Sequence, residues 1–196
     1  MNIEIKQDIL LENLNYVIRG ISTKNIIPIL NCIKFELTDE GLYMTSTDNE
    51  SAIRTFIPSS SIESINSIGK IVISWKYIYD IVRKLPNTII KIEEFIDNKI
   101  NISTSNSSFD LNCNNVNEFP ELDLSDSKYP FQITRTAFKK LVKQTSFAAS
   151  TQENRPEFTG INFKINENLL ECTSTDSYRL AKKEITLMSK LEDSIN

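Results

Sequence analysis

Apolar side chains recur at helical spacing in two stretches of the first 126 residues. In residues 9–19 the stripe starts just after Asp8 and is followed by Gly20, which is typical of a helix end. In residues 75–85 the stripe is ended by Pro86, because proline cannot continue a helix. The side chains expected to face the core are Leu10, Leu11, Leu14, Val17 and Ile18 in the first helix, and Ile78, Ile81, Val82 and Leu85 in the second.

Alternating apolar and polar side chains predict short strands around these helices. A turn at residues 38–41 is expected to join two of the strands into a hairpin. Helices packed on antiparallel sheets define the α+β class. The predicted strands cover residues 3–6, 29–37, 41–46, 51–58, 69–74, 89–94, 99–103 and 108–112.

The tetrapeptide TSTD occurs at residues 45–48 and again at 173–176, which is 128 positions later. At this offset, and without gaps, residues 22–48 and 150–176 share 10 identical pairs in 27. Such self-similarity predicts a duplicated structural unit. In the second copy we expect a strand at 131–133, a helix at 136–147 with Phe138, Leu141 and Val142 inward, and strands at 158–165, 169–174 and 179–185.

The repeat also suggests where the domains lie. A first domain over residues 1–126 is expected to be complete, and residues 127–196 would hold the first half of a second domain. The segment 118–130, with its prolines and acids and little periodicity, is the expected boundary. Because the second copy stops midway, we expect the natural protein to continue beyond Asn196.

Composition excludes several classes of function. The chain has no histidine, which removes the commonest general base and the commonest transition-metal ligand. Its three cysteines have no C-x-x-C spacing, and its four glycines form no phosphate-binding loop. Serine, cysteine and metal hydrolases of the usual designs are therefore not expected. The chain has no apolar run of 18 residues and no signal-peptide core, so we expect a cytoplasmic protein without a membrane partner.

Two interpretations of the TSTD segments are open. Asp48 and Asp176 could hold a divalent metal in a DNA-acting enzyme, provided that the two carboxylates converge. Alternatively, each carboxylate accepts backbone N–H bonds in the turn that follows its strand. The second interpretation is favoured because neither segment has a base, a second carboxylate or a glycine-rich cradle nearby.

Basic residues gather on the predicted helices although the net charge is −4. Lys139, Lys140 and Lys143 belong to the helix of the second unit, and Lys76 and Arg83 to the second helix of the first. Such faces are typical of a surface that contacts DNA phosphates without reading bases, and equally of an ordinary solvated helix. Charge alone does not separate the two.

Several longer stretches carry more specific information than the repeat does. They are KNIIPILNCIKFEL (24–37), TSTDNE (45–50), IVRKLP (81–86), NEFPELD (117–123), SFAAS (146–150), ENRPEFTGINF (153–163) and TSTDSYRLA (173–181). Taken together, and in this order along nearly the whole chain, they resemble the bacterial sliding clamps, the beta-subunit family of DNA polymerase III. The resemblance implies a clamp fold of three repeated domains, the third absent from this chain, in which two chains close head to tail into a ring around duplex DNA. It also implies no catalytic residue, metal or cofactor.

The resemblance also implies roles for individual residues. Partners would be double-stranded DNA, the polymerase III catalytic subunit, the clamp loader and other proteins with short apolar tails, together with a second copy of the chain. Many relatives have Gly-His or Ser-His where this chain has Ser177-Tyr178, which bears on partner preference. With the basic helix residues added, the expected sets are Lys24, Lys76, Arg83, Lys139, Lys140, Lys143 and Gln152 facing DNA; Phe158, Thr175, Ser177, Tyr178 and Leu180 in a peptide pocket; and Phe109 and Leu111 at the ring interface.

Three functions follow as hypotheses. The first is a sliding clamp that tethers polymerases to DNA without catalysis of its own. The second is a metal-dependent enzyme acting on DNA through Asp48 and Asp176. The third is a stand-alone peptide-binding remnant of a clamp. On the clamp hypothesis, the 196-residue chain is not expected to form a closed ring by itself.

Overall fold

The computed structural model describes residues 1–22, 26–95, 98–123, 131–152 and 154–187. The chain folds as two compact units, Met1–Asp123 and Leu124–Asn196. Each unit has a hydrophobic core of its own. The boundary expected at residue 126 falls within residues 124–130, which lie outside the described residues.

The first unit is an α+β structure with two antiparallel sheets. The elements described in this unit are β1 (Asn2–Lys6), α1 (Gln7–Val17), β2 (Cys32–Thr38), β3 (Gly41–Thr47), β4 (Ala52–Pro58), β5 (Ser64–Ser67), β6 (Gly69–Ser74), α2 (Trp75–Lys84), β7 (Ile89–Phe95), β8 (Lys99–Ser103) and β9 (Ser108–Asn112). The strand orders of the two sheets are β5-β1-β7-β8-β9 and β4-β3-β2-β6.

The helices of the first unit bury the stripes that their sequences predict. Leu10, Leu14 and Val17 of α1 are completely buried, as are Ile78 and Val82 of α2. Removing a side chain of this size from water stabilises the fold by about 1.5–3 kcal/mol. The two helices contact each other, and the Tyr79 hydroxyl donates a hydrogen bond to Asn15 Oδ1 at 3.0 Å. The predicted helix–sheet arrangement is therefore confirmed in this unit.

The second unit has one helix on a three-stranded antiparallel sheet among its described residues. The elements are α3 (Arg135–Thr145), β10 (Asn162–Asn166), β11 (Leu169–Thr175) and β12 (Leu180–Thr186). The sheet order is β10-β11-β12, and α3 packs against β11 and β12. Leu141 of α3 meets Leu170 and Cys172 of the sheet in the core.

The predicted duplication is confirmed by the positions of these elements. Helix α3 begins and ends 128 positions after α1, and β11 and β12 begin and end 128 positions after β3 and β4. Each helix continues into a short 3-10 turn at the same offset, Ile18–Gly20 and Ser146–Ala148. The two units therefore share one design from their first helix onward.

Two predicted strands begin later than expected, and a third does not form. Residues 29–37 and 158–165 open instead as the 3-10 turns Pro28–Asn31 and Pro156–Phe158, and pairing begins only at β2 and β10. The reason is the proline at the first position of each turn, which has no N–H to donate to a ladder. Residues 131–133, predicted as a strand, form no regular element.

One strand was missed by the sequence prediction, and one core assignment was wrong. Strand β5 was not predicted, because its four residues show little apolar alternation and it is held at a sheet edge by backbone pairing to β1. Phe138 was expected inward but is 42% exposed. Its ring stacks on Phe163 at 6.2 Å, while Leu141 and Thr145 take the fully buried positions of α3.

Candidate functional site

Each TSTD segment ends a strand and opens a tight turn closed by its aspartate. Asp48 Oδ1 accepts backbone N–H bonds from Glu50 and Ser51, at 3.1 and 2.8 Å. Asp176 Oδ1 accepts the equivalent bonds from Tyr178 and Arg179, both at 3.0 Å. The prediction that these carboxylates cap turns is confirmed.

The threonine before each aspartate is also used within its turn. Thr175 Oγ1 donates to the backbone carbonyl of Arg179 at 2.7 Å and accepts from the Ser177 N–H at 3.1 Å. Thr47 makes the matching bonds with Ser51 and Asn49. Because a hydroxyl has a single proton, Thr175 has no further donor to offer to a ligand in this conformation.

Both turn carboxylates are held in their charged form. The N–H of Ser51 is the largest cause that lowers the pKa of Asp48 below its ordinary value, and the N–H of Arg179 does the same for the pKa of Asp176. Asp176 gains a second stabilising partner, since Arg179 Nε lies 3.0 Å from its Oδ2. The two aspartates are thus hydrogen-bond acceptors engaged by their own turns.

The second turn presents apolar side chains to solvent. Ser177 has a positive φ of 76°, a conformation uncommon for serine, and the following Tyr178 is 98% exposed. Leu180 is 66% exposed at the start of β12. Four predicted pocket residues therefore lie together on this turn. The fifth, Phe158, lies in a separate 3-10 turn, where the Arg155 guanidinium sits 5.8 Å from its ring.

Phe147 and Arg179 belong to the same surface and were not predicted as site residues. The Arg179 guanidinium lies 5.9 Å from the centroid of the Phe147 ring, which is 59% exposed. A cation over an aromatic face is an attractive arrangement. The sequence signal for Arg179 was its spacing of three from Asp176, whereas nothing local indicated Phe147.

The predicted DNA-facing residues within the described residues are all exposed. They are Lys76 and Arg83 on α2, Lys139, Lys140 and Lys143 on α3, and Gln152 beyond it. Lys24 lies outside the described residues. Arg83 differs from the lysines because its Nη2 lies 3.3 Å from Asp80 Oδ1 and its guanidinium lies 5.5 Å from the Tyr79 ring. Its charge is therefore partly neutralised within the helix.

The predicted interface residues lie on a sheet edge. Phe109 and Leu111 are on β9, the last strand of the five-stranded sheet. With Tyr77, Ile81 and Leu85 they line an apolar pocket of about 350 Å³ between β9 and α2. Phe109 is 38% exposed there. An edge strand beside an apolar pocket can receive another chain by backbone pairing and side-chain insertion.

The described ranges hold neither a cluster of metal-binding side chains nor a membrane-spanning helix. There, no group of three or more histidine, cysteine, aspartate or glutamate side chains is arranged to hold a metal ion. In the same ranges, no helix has the length and apolar character needed to cross a bilayer.

Comparisons with known proteins agree with this architecture. The sequence profile of the DNA polymerase III beta subunit, N-terminal domain, matches residues 1–123, and that of its central domain matches residues 132–196. The Beta sliding clamp of Halalkalibacterium halodurans is 36% identical over 189 residues, covering 94% of this chain and 50% of that protein. The Beta sliding clamp of Bacillus subtilis is 35% identical over 191 residues, with 95% and 50% covered.

The solved structures extend the likeness to three dimensions. The crystal structure of the DNA polymerase sliding clamp from Bacillus subtilis superposes with a TM-score of 0.95 at 34% identity, covering all of this chain and 53% of that one. The chain thus spans about half the length of the curated relatives it matches. The clamp fold predicted from the sequence is confirmed, and the chain belongs to the DNA polymerase III beta subunit family.

Proposed function

We propose that this chain is part of a sliding clamp, which encircles duplex DNA and tethers the replicative polymerase to it. The observation that carries the proposal is the structural repetition at 128 positions. A ring can be built from tandem copies of one helix-on-sheet unit, and such a ring holds DNA by topology.

The basic helix faces support a weak and sequence-independent contact with DNA. Lys76 and the three lysines of α3 are exposed on an acidic chain with a net charge of −4. Phosphate contacts position a protein on DNA without reading its sequence. Since retention would be topological, a few such cations are sufficient, and the acidic remainder of the surface limits adhesion.

The turn at residues 175–180 supports the binding of short apolar tails. Tyr178 and Leu180 are exposed apolar groups beside the Arg179–Phe147 pair, which is the mixture of apolar walls and a few polar groups found in peptide sites. The partners would be the polymerase III catalytic subunit, the clamp loader and other proteins with such tails. Tyr178 then contributes an aromatic contact at the edge of this peptide-binding surface.

The edge at β9 supports ring closure between two copies of the natural protein. Phe109 and Leu111 would meet the far end of a second chain in a head-to-tail homodimer, with β9 offering its unpaired backbone edge. On this proposal the protein works in the bacterial cytoplasm with the nucleoid and makes or breaks no bond itself.

The two alternative functions have less support. A metal-dependent nuclease would use Asp48 and Asp176, but each carboxylate is held by the N–H groups of its own turn. A stand-alone peptide-binding remnant would use the same surface around Tyr178 and would bind tails without any contact to DNA.

The proposal is tested with fluorescently labelled duplexes of two unrelated sequences and the 196-residue chain. We expect equal, weak affinities for both duplexes that fall linearly with salt on logarithmic axes. Replacing Lys139, Lys140 and Lys143 together by glutamine should reduce the salt slope, by about one unit per lost phosphate contact. Sequence preference, or cleavage of the duplex with Mg²⁺, would contradict the proposal.

A further inference from the structure

An open groove runs between α3 and β12 in the second unit. Its walls are basic on both sides, and its one aromatic lining residue is the exposed Phe147. We call it the α3–β12 groove. It is lined by Lys140, Lys143, Gln144, Phe147, Lys182 and Lys183.

The four lysines of the groove differ in whether acidic side chains neutralise their charge. Lys182 Nζ lies 2.8 Å from Glu171 Oε2 and 2.9 Å from Glu184 Oε1. The hydrogen bond to Glu171, and then that to Glu184, raises the pKa of Lys182 above its ordinary value. Lys140, Lys143 and Lys183 have no ion pair among the described residues. The groove therefore presents three uncompensated positive charges.

The internal repeat shows that packing does not require these charges. The equivalent helix in the first unit, α1, packs on β4 in the same way. The three lysine positions are occupied there by Glu12, Asn15 and Thr55, and the Phe147 position by Arg19. A helix-on-sheet unit thus forms without a basic groove. The cluster belongs to what the second unit does rather than to how it folds.

The groove is continuous with the surface proposed to bind apolar tails. Phe147 lines the groove and also contacts the Arg179 guanidinium at 5.9 Å. Arg179 is fixed by Asp176 in the turn that presents Tyr178. A peptide lying on this turn can extend past Phe147 directly into the groove.

We propose that the α3–β12 groove binds acidic side chains that flank the apolar tail of a partner peptide. The inference rests on the proposed peptide-binding function. Glutamate or aspartate carboxylates would pair with Lys140, Lys143 and Lys183, while their aliphatic stems cover Phe147. Tails with an acidic flank are then preferred over neutral ones of the same apolar sequence.

An acidic peptide fits the groove better than a nucleic acid does. Two groove residues, Lys182 and Lys183, belong to the strand that follows the Tyr178 turn, whereas Lys139 of the proposed DNA-facing set does not line the groove. The groove therefore shares β12 with the surface proposed to bind peptides. Lys140 and Lys143 belong to both proposed sets, so an acidic tail and duplex DNA would compete for them.

The test uses fluorescein-labelled peptides that all contain the same Leu- and Phe-rich tail. Three glutamates stand before the tail in one peptide and after it in another. In a matched pair of peptides, three glutamines take the same places. Their anisotropy is titrated with the 196-residue chain at low and moderate salt. We expect one glutamate peptide to bind roughly tenfold more tightly than its glutamine match, which corresponds to about 1.4 kcal/mol. Added salt should reduce the difference, because the pairs are exposed.

A variant with Lys140→Gln, Lys143→Gln and Lys183→Gln should lose the preference for glutamate. The matched control is Lys164→Gln, an exposed lysine of β10 outside the groove, which should retain it. Equal Kd values for glutamate and glutamine peptides would overturn the inference and leave the proposed function intact. If no tail peptide binds at all, the inference and the proposed peptide-binding function both fail. If the triple variant weakens binding to a single-stranded oligonucleotide and leaves the peptide preference unchanged, the groove is a nucleic-acid site and the inference is wrong.

Discussion

Ser174 Oγ donates a buried hydrogen bond to the backbone carbonyl of Thr145, 29 residues earlier and 2.5 Å away. The same bond joins Ser46 to Val17 in the first unit, again across 29 residues and at 2.5 Å. Each carbonyl belongs to the last residue of its α-helix, where the regular hydrogen bonding between residues i and i+4 stops. The serine of TSTD therefore ties the end of the helix to the sheet beneath it.

Replacing Ser46 by alanine should destabilise the first unit by about 1–3 kcal/mol, because a buried carbonyl loses its donor. Trp75 is the single tryptophan of the chain and lies in this unit, so its fluorescence during urea unfolding isolates the effect. Ser67→Ala, at an exposed edge position, is the control and should change stability by less than about 0.5 kcal/mol. Equal effects of the two substitutions would refute a role for the buried bond.

Replacing Gly41 by alanine should also lower the urea midpoint of the Trp75 transition. Gly41 has a φ of 148°, and an added Cβ would collide with the backbone carbonyl oxygen of Ile57. Strain of this kind costs on the order of 1–3 kcal/mol. The control is Gly160→Ala, where the new Cβ would meet nothing within 4 Å. Because Gly160 lies in the second unit, its unfolding is followed by far-ultraviolet circular dichroism and should match that of the parent. An unchanged midpoint in Gly41→Ala would contradict the turn geometry.

The turn that carries Tyr178 should depend on pH through Asp176. The N–H of Arg179, together with further hydrogen bonds, lowers the pKa of Asp176 in the folded chain from its ordinary value of 3.8. The stabilisation that these bonds give is therefore present above the pKa of the unfolded state, and it is lost as the pH falls through the pKa of the folded state. Carbon-detected NMR should show the Asp176 carboxyl titrating below 3.8, with the amide shifts of Tyr178 and Arg179 following it. Titration at or above 3.8 would mean that the turn is open in solution.

Lys76→Ala and Arg83→Ala should weaken duplex binding to different extents. Lys76 is exposed, whereas Arg83 is paired with Asp80 at 3.3 Å and must leave this partner to contact a phosphate. We expect the loss of Lys76 to reduce the salt slope by about one unit and the loss of Arg83 to reduce it by less. Fluorescence anisotropy at several salt concentrations measures both slopes. A larger effect for Arg83 would show that the pair with Asp80 opens on DNA.

Much of the fold could be predicted because its signals are local. The apolar stripe of α1 and the hairpin at residues 38–41 are encoded by neighbours a few positions apart. The caps at Asp48 and Asp176 involve the next two or three residues only. Among the exceptions are the starts of β2 and β10, where a segment that begins with proline forms a 3-10 turn in place of the first predicted strand residues.

The candidate surface of the second unit was predicted only in part. Thr175, Ser177, Tyr178 and Leu180 follow one another in the chain, so their proximity needs no tertiary information. Phe147 meets Arg179 only because α3 packs on β12 and brings residues 32 positions apart together. No periodicity or motif in the sequence predicts the contact between these two residues.

By itself the sequence determined the α+β class, the repeat at 128 positions and the turn-capping role of both aspartates, since periodicity and side-chain-to-backbone hydrogen bonds act over short distances. Only the tertiary structure decided which basic residues remain unpaired and where they gather. Lys182 is neutralised by Glu171 across the sheet, while Lys140 and Lys183 approach from a helix and a strand to form one groove. The strength and sign of a charged surface depend on distances between elements, and those distances exist only in the folded chain.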